Sequence, residues 1–264
     1  MIRFHDCGTP YTDWGINRFP DGQVQFKIKP TADRLDLDIS ITDSEQLDLF
    51  FQIVNTIQLR SIRVIYLYGG RSDKDVAGEY AVSNLPLMIV RVLGISKNLH
   101  PITHLETVMP HSKVFPGDRV LPIHPELASN EPGYDLILFP DESASNRFLD
   151  HFQGIEKRTC SKERDQESGN IIKHVMPDDL GKFKRILVAD DLCDGGRTFL
   201  DVRDAVDAHH PERIDLYVTH GVFSNGALSR LDGRFNTIWT TNSYQEFGES
   251  EVLKVLNVWR SPGE

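Results

Sequence analysis

The stretch Arg185 to Leu200, RILVADDLCDGGRTFL, holds the residues whose types and spacing can do the most chemistry. An apolar run leads into two adjacent acids, Asp190 and Asp191, then a glycine turn, then a segment able to start a helix. At the carboxyl end of a parallel strand, that order sets two carboxylates against the 2- and 3-hydroxyls of a ribose, since ionised carboxylates only accept hydrogen bonds and hydroxyls can donate them. The turn that follows, Asp194, Gly195, Gly196, Arg197 and Thr198, can point successive N–H groups inward at a helix start and so make a cup for a phosphate. Sugar and phosphate are then read by neighbouring residues. An acid pair alone also fits an ordinary acidic turn with a glycine bend on a solvated surface. The complete order of strand, acids, glycine turn, threonine and helix is what favours a ligand.

Such a segment needs a parallel sheet to carry it. Short β-branched runs alternate with amphipathic stretches along the chain, which predicts the α/β class with mostly parallel sheets flanked by helices. Strands are predicted at Gln23 to Ile28, Leu35 to Ile41, Ile62 to Tyr68, Leu136 to Phe139, Ile186 to Ala189, Ile214 to Thr219 and Thr237 to Thr240. Several are continuously apolar, as buried parallel strands are. Helices are predicted at Ser44 to Gln58 with Ser44 as cap, at Asn84 to Leu93 with Pro86 in its first turn, and from Thr198 to about His209. Prolines at 110, 116, 122, 125 and 132 make the intervening stretch a loop and interdomain passage, with the cut near Asp118. The polar segment Cys160 to Asn170, CSKERDQESGN, has no apolar period and is predicted to be a mobile surface loop.

A length of 264 residues exceeds one ordinary core and favours two domains. Residues 1–118, 119–245 and a tail at 246–264 returning to the first domain are the predicted parts. The 39 acidic against 29 basic residues give a net charge of -10, which would repel a nucleic acid backbone and argues against that partner. No run of about 18 apolar residues suggests a membrane span. The start MIRFHDCGTP has no secretory pattern, and Cys7, Cys160 and Cys193 show no paired spacing, so a reducing cytoplasm is the expected setting.

Other segments carry candidate groups. Arg18-Phe19-Pro20-Asp21-Gly22-Gln23-Val24 reads, by itself, as a turn into a strand, since Asp-Gly is a common hairpin signal. His111 in Met109-Pro110-His111 reads as a solvated loop histidine, Lys162 and Arg164 as two charges on a loop, and His220 as a satisfied core histidine. Asp141 follows the run ending Phe139-Pro140, and Arg71 and Asp73 stand within Tyr68 to Glu79, YGGRSDKDVAGE.

Taken in their shared order, these segments resemble the phosphoribosyl-pyrophosphate synthetase family, while the Asp190 segment is also similar to the binding motif of type I phosphoribosyltransferases. The resemblance runs from about Arg18 to Thr241 and implies two type I phosphoribosyltransferase-like domains and a homo-oligomer. It implies transfer of the β,γ-pyrophosphate of ATP to the anomeric hydroxyl of a ribose-5-phosphate group, with release of AMP and with Mg2+ as cofactor. By that resemblance Phe19, Asp21, Gln23, Arg71 and Asp73 bind ATP. Asp190, Asp191, Asp194, Gly195, Gly196, Arg197 and Thr198 bind the ribose phosphate, His111 and Asp141 serve the metal, and Lys162 and Arg164 are catalytic. Val218-Thr219-His220-Gly221-Val222-Phe223-Ser224 resembles a packing signature of the family's second domain.

Departures from the pattern cluster where the acceptor's 5-phosphate would sit. Arg197 stands where the family's phosphate cup has its second glycine, and Glu142-Ser143-Ala144-Ser145-Asn146 replaces a glycine-rich turn. A guanidinium there can pair with a phosphate that carries a further substituent. The acceptor implied is therefore ADP-ribose in slight preference to free ribose 5-phosphate, which would serve the rebuilding of NAD. A nucleobase phosphoribosyltransferase would use the same motif without the Arg18 to Gln23 segment or the Lys162 and Arg164 pair. A non-catalytic synthetase-associated regulator would have lost the basic pair or His111.

Overall fold

Leu35–Ile41, Leu59–Leu67 and Arg213–Gly221 bury nearly every side chain on both faces, which marks them as interior strands. A computed structural model describes residues 1–29, 34–67, 104–107, 119–120, 133–148, 151–164, 171–248 and 250–260. The chain divides into two units, Met1–Leu121 with Val258–Glu264, and Pro122–Asn257.

The first unit is built on a six-stranded sheet. Its strands are β1 (Ile2–Asp6), β2 (Thr9–Tyr11), β5 (Leu35–Ile41), β6 (Leu59–Leu67), β7 (His104–Thr107) and β8 (Arg119–Val120), in the order β2-β1-β5-β6-β7-β8. Strands β5 to β8 run parallel, while β1 pairs antiparallel with both β5 and β2. Helix α1 (Ser44–Thr56) buries Leu49, Phe50, Ile53 and Val54 in the sheet's core. Its cap is Asp43 rather than Ser44: Asp43 is extended, and its carboxylate accepts from Gln46 N at 2.9 Å. The helix ends at Thr56, two residues before the predicted Gln58, because Ile57 turns extended and Gln58 O accepts from Leu35 N, at the head of β5.

An antiparallel ribbon, β3 (Trp14–Arg18) with β4 (Val24–Ile28), docks on α1 through Gln52. That side chain accepts from Phe26 N at 2.8 Å and donates to Val24 O at 2.9 Å. The ribbon's turn is the hairpin that Asp21-Gly22 announces: Gly22 has φ +89°, and Asp21 Oδ1 accepts from Gln23 N at 3.0 Å.

The second unit has a wholly parallel six-stranded sheet. Its strands are β9 (Leu136–Phe139), β10 (Glu156–Thr159), β13 (Arg185–Cys193), β14 (Arg213–Gly221), β15 (Ile238–Thr241) and β16 (Leu253–Leu256), in the order β10-β9-β13-β14-β15-β16. Alternation along β9 and β13 sends Leu136, Leu138, Ile186 and Val188 into one core and Ile137, Phe139, Leu187 and Ala189 into another. Helix α2 (Glu142–Arg147) follows β9, α3 (Arg197–Asp207) follows β13, and the short α4 (Ala227–Leu231) follows β14. The α/β class and the mostly parallel sheets are thus observed, with α1 the one helix of the first unit among the described residues and α2, α3 and α4 in the second.

Several sequence expectations are corrected. Ser161–Arg164 is not loop but strand β11, paired antiparallel with β12 (Ile171–Val175). Its polar residues carry no alternation to read, so the ladder rests on the β-branched partner strand. Residues 246–264 do not return as one tail. Leu253–Leu256 stays as β16 on the second unit's edge, and the segment joins the first unit only from Val258. Within the proline-rich stretch, Arg119–Val120 forms β8 and belongs to the first unit, beyond the cut expected near Asp118. The helix expected at Asn84 to Leu93 and the rest of that stretch lie outside the described residues.

From Val258 the chain is clasped by a buried ion pair. Arg260 N donates to Asp38 Oδ2 at 2.9 Å, Arg260 Nη1 lies 3.0 Å from Asp38 Oδ1 as an ion-pair contact, and Nη2 donates to Ser61 Oγ at 2.8 Å. Asp38 is fully buried, and desolvation raises its pKa even though Arg260 pulls it down. Arg3 covers the adjacent Trp259 ring at 4.5 Å.

Candidate active site

The second unit gathers its chemistry at the carboxyl ends of β9, β13 and β14, as open parallel sheets do. Strand β13 runs four residues past the predicted Ala189, so Asp190 and Asp191 lie inside it, with Asp190 opposite Val218 and Leu192 opposite His220. Asp190 Oδ1 accepts from Asp191 N at 2.8 Å. Burial, then the carboxylates of Asp191 and Asp141, push the Asp190 pKa well above its ordinary value. Three acids therefore sit close enough to repel one another, a concentration of negative charge that hydroxyl donors or a cation would relieve.

Asp141 ends the turn after β9 and caps α2, accepting from Ala144 N at 2.9 Å. The segment Glu142 to Asn146, which replaces the glycine-rich turn of the resembling family, is the body of this helix, and the helix delivers a residue the sequence reading missed. Arg147, in its last turn, donates to Asp191 Oδ2, both side chains being about four-fifths buried. No local pattern announces this pair, since the two residues lie 44 positions apart.

The glycine turn is held from behind. Asp194 Oδ1 accepts from Ser224 Oγ, and Gly195 O accepts from Arg230 Nη2 at 2.8 Å. Gly196 has φ +78° and caps α3, and a Cβ placed there would meet Ala227 and Leu231 of α4 at 3.3 Å each. The start of α3 leaves the N–H groups of Arg197 and Thr198 without an intrahelical acceptor, the arrangement that receives an anion. Arg197 does not reach into the cup: its side chain is 91% exposed, with Nε 3.7 Å from Asp201 on the next helical turn. It stands on the rim because the first helical position points outward here.

Two neighbours are not reactive groups. The buried Cys193 thiol is pushed up to about 12 by desolvation, with Asp190 and Asp194 adding to the effect, so it stays protonated. His220 is fully packed, its Nδ1 2.7 Å from Ser243 Oγ, and burial lowers its pKa from 6.5 to about 4 against the opposing pull of Asp191. The reading of it as a core histidine agrees with this. Because the folded form resists the proton, the stability from the neutral ring is full above about 6.5 and is lost as pH falls toward 4. Following the ring resonance by NMR from pH 7 to pH 5 is expected to show it neutral throughout. A midpoint near 6.5 would show the ring to be solvated.

Of the other candidates, Phe19, Asp21 and Gln23 form the exposed tip of the β3–β4 ribbon in the first unit. Lys162 and Arg164 lie in β11, opposite His174 and Ile171, with a register shift between Glu163 and Arg164. Arg71, Asp73 and His111 lie outside the described residues. Among the described residues, no group of three or more His, Cys, Asp or Glu forms a metal-ligand set. Asp141 fits a role in which protein carboxylate supplies one oxygen and phosphates and water the rest, as magnesium accepts.

No family model matches this chain. Ribose-phosphate pyrophosphokinase of Pyrococcus furiosus is 23% identical over 252 residues, spanning 89% of this chain and 87% of that protein. The enzyme of the same name from Thermotoga maritima is 23% identical over 269 residues, spanning 96% and 85%. A higher identity, 31%, is confined to 95 residues of the Spinacia oleracea ribose-phosphate pyrophosphokinase 3, covering 36% of this chain and 23% of that protein. In three dimensions the crystal structure of phosphoribosylpyrophosphate synthetase from Mycobacterium smegmatis superposes with a TM-score of 0.72 at 16% identity, over 95% of this chain and 87% of that one. Over most of its length the chain is thus similar in sequence to ribose-phosphate pyrophosphokinases, and it has the fold of a phosphoribosylpyrophosphate synthetase.

Proposed function

We propose that this chain is an ATP-dependent diphosphotransferase that moves the β,γ-pyrophosphate of ATP to the anomeric hydroxyl of a ribose-5-phosphate group and releases AMP. The observation that carries the reading is the strand-end pair Asp190 and Asp191 running into a braced glycine turn that opens α3. The pair would accept from the ribose hydroxyls, with Arg147 holding Asp191 in place, while the turn's N–H groups would receive the 5-phosphate. Asp194, Gly195, Gly196 and Thr198 form that turn.

The transfer needs an in-line approach of the sugar hydroxyl to the β-phosphorus, with charge spread over phosphoryl oxygens. Lys162 and Arg164 supply positive charge at the reacting phosphates and exclude water. His111 and Asp141 would hold a magnesium ion, which when bound neutralises phosphate charge and aligns the ATP tail. Phe19, Asp21, Gln23, Arg71 and Asp73 would bind the nucleotide. Phe19 is 43% exposed on its ribbon tip, an aromatic face that a purine can cover. The resemblance of the Arg18 to Val24 segment to that family makes a homo-oligomer part of the proposal.

ADP-ribose is the preferred acceptor over free ribose 5-phosphate. The supporting feature is Arg197 on the rim, where its exposed guanidinium can meet the second phosphate of an esterified acceptor. Incubating the purified protein with ATP, magnesium and each acceptor, with no nucleobase present, tests both levels by chromatography of AMP. AMP release with either sugar supports the diphosphotransferase, and release with ribose 5-phosphate alone removes the ADP-ribose preference. No release with either leaves a nucleobase phosphoribosyltransferase as the better reading.

A further inference from the structure

We propose that Arg230 is a positioning residue for the phosphate cup: its guanidinium bridges Gly195 O and Asn225 O and thereby fixes the peptide whose N–H faces the acceptor's phosphate. The inference rests on the functional reading above for the ligand, while the brace itself stands on geometry. Arg230 Nη2 donates to Gly195 O at 2.8 Å and Nη1 to Asn225 O at 2.5 Å. A trans peptide is planar and sends its carbonyl and its N–H in opposite directions. With Gly195 O turned back to Arg230, the Gly196 N–H of the same peptide is aimed to the opposite side, away from α4.

The second carbonyl explains why an arginine is needed. Asn225 belongs to a segment in which Phe223, Asn225 and Gly226 all take left-handed backbone, with φ of +46°, +52° and +72°. Non-glycine residues hold such a conformation only where their surroundings over-determine it. Here Arg230 fastens Asn225 O, Ser224 Oγ donates to Asp194, and Gly221 has no room for a side chain, since a Cβ would lie 2.3 Å from the Phe223 ring. The strained segment and the glycine turn are thus locked to each other, with one guanidinium spanning both. A planar fork with several fixed donors can span two carbonyls; a lysine ammonium carries the same charge on a flexible stem without the fork. Arg230 is itself exposed, so its replacement leaves the core intact.

Arg230→Met and Arg230→Lys test this together. Steady-state kinetics with ATP and the acceptor are expected to show the acceptor's KM raised about tenfold in both variants, the scale of a lost hydrogen bond to a charged group, with the KM for ATP held within about twofold. Backbone 15N relaxation in the free protein is expected to show the Gly196 order parameter falling from about 0.85 toward about 0.6 in both variants. The proposal is overturned if Gly196 stays as rigid in Arg230→Met as in the parent. It is equally overturned if Arg230→Lys restores both readouts, because charge alone would then suffice. Should the parent protein release no AMP with either acceptor, the functional reading fails, and the order parameters still decide the brace.

Discussion

Arg164→Ala is expected to lower the rate of AMP release about a thousandfold, the scale of an arginine that stabilises a transferring phosphoryl group. The loss should fall on kcat, with the acceptor's KM little changed, because a charge that matters at the transition state adds little to ground-state binding. Arg164 stands at the end of β11 beside a register shift, a place where a strand is re-aimed rather than continued. Turnover of the variant within a few fold of the parent would remove the catalytic role from this ribbon and weaken the transferase reading with it.

Arg260→Met is expected to destabilise the first unit by about 3–5 kcal/mol, measured by denaturant unfolding, since it strands the buried Asp38 carboxylate. The pH dependence gives the cause away. Asp38 already has a raised pKa in the folded protein, so the folded form takes up a proton more readily than the unfolded chain. Its unfavourable contribution is absent at pH below the ordinary carboxylate value and grows as pH rises through the raised one. The deficit of Arg260→Met is therefore expected to shrink as pH is lowered from 7 toward 5. A deficit that is small at pH 7, or that does not change with pH, would mean that the pair is solvated.

What could be read from the residues, and what could not, follows the physics of each element. Leu35–Ile41 was legible to the residue through its strict alternation of apolar and polar residues, and Leu136–Phe139 through an apolar run that ends at Pro140. Strand β13 outran its predicted end since Asp190 and Asp191 look like a turn, yet parallel pairing with β14 continues through them to Cys193. Helix α2 was invisible because only Ala144 of its six residues is buried, leaving no apolar period to detect. That is also why Arg147 was missed, although it touches the site more directly than Arg197 does. The glycine turn was legible as a shape, but its bracing by Ser224 and Arg230 depends on a segment about thirty residues away that only folding brings near.

The clasp between Asp38 and Arg260 has a consequence for the order in which the protein can mature. The first unit's sheet leaves the ribosome early, with an acid already committed to its interior, while the guanidinium that answers it is 222 positions later. The half of the protein made first thus becomes whole last. Until translation passes residue 260, nascent chains should remain open to protease at β1 and β5 even after the second unit has closed.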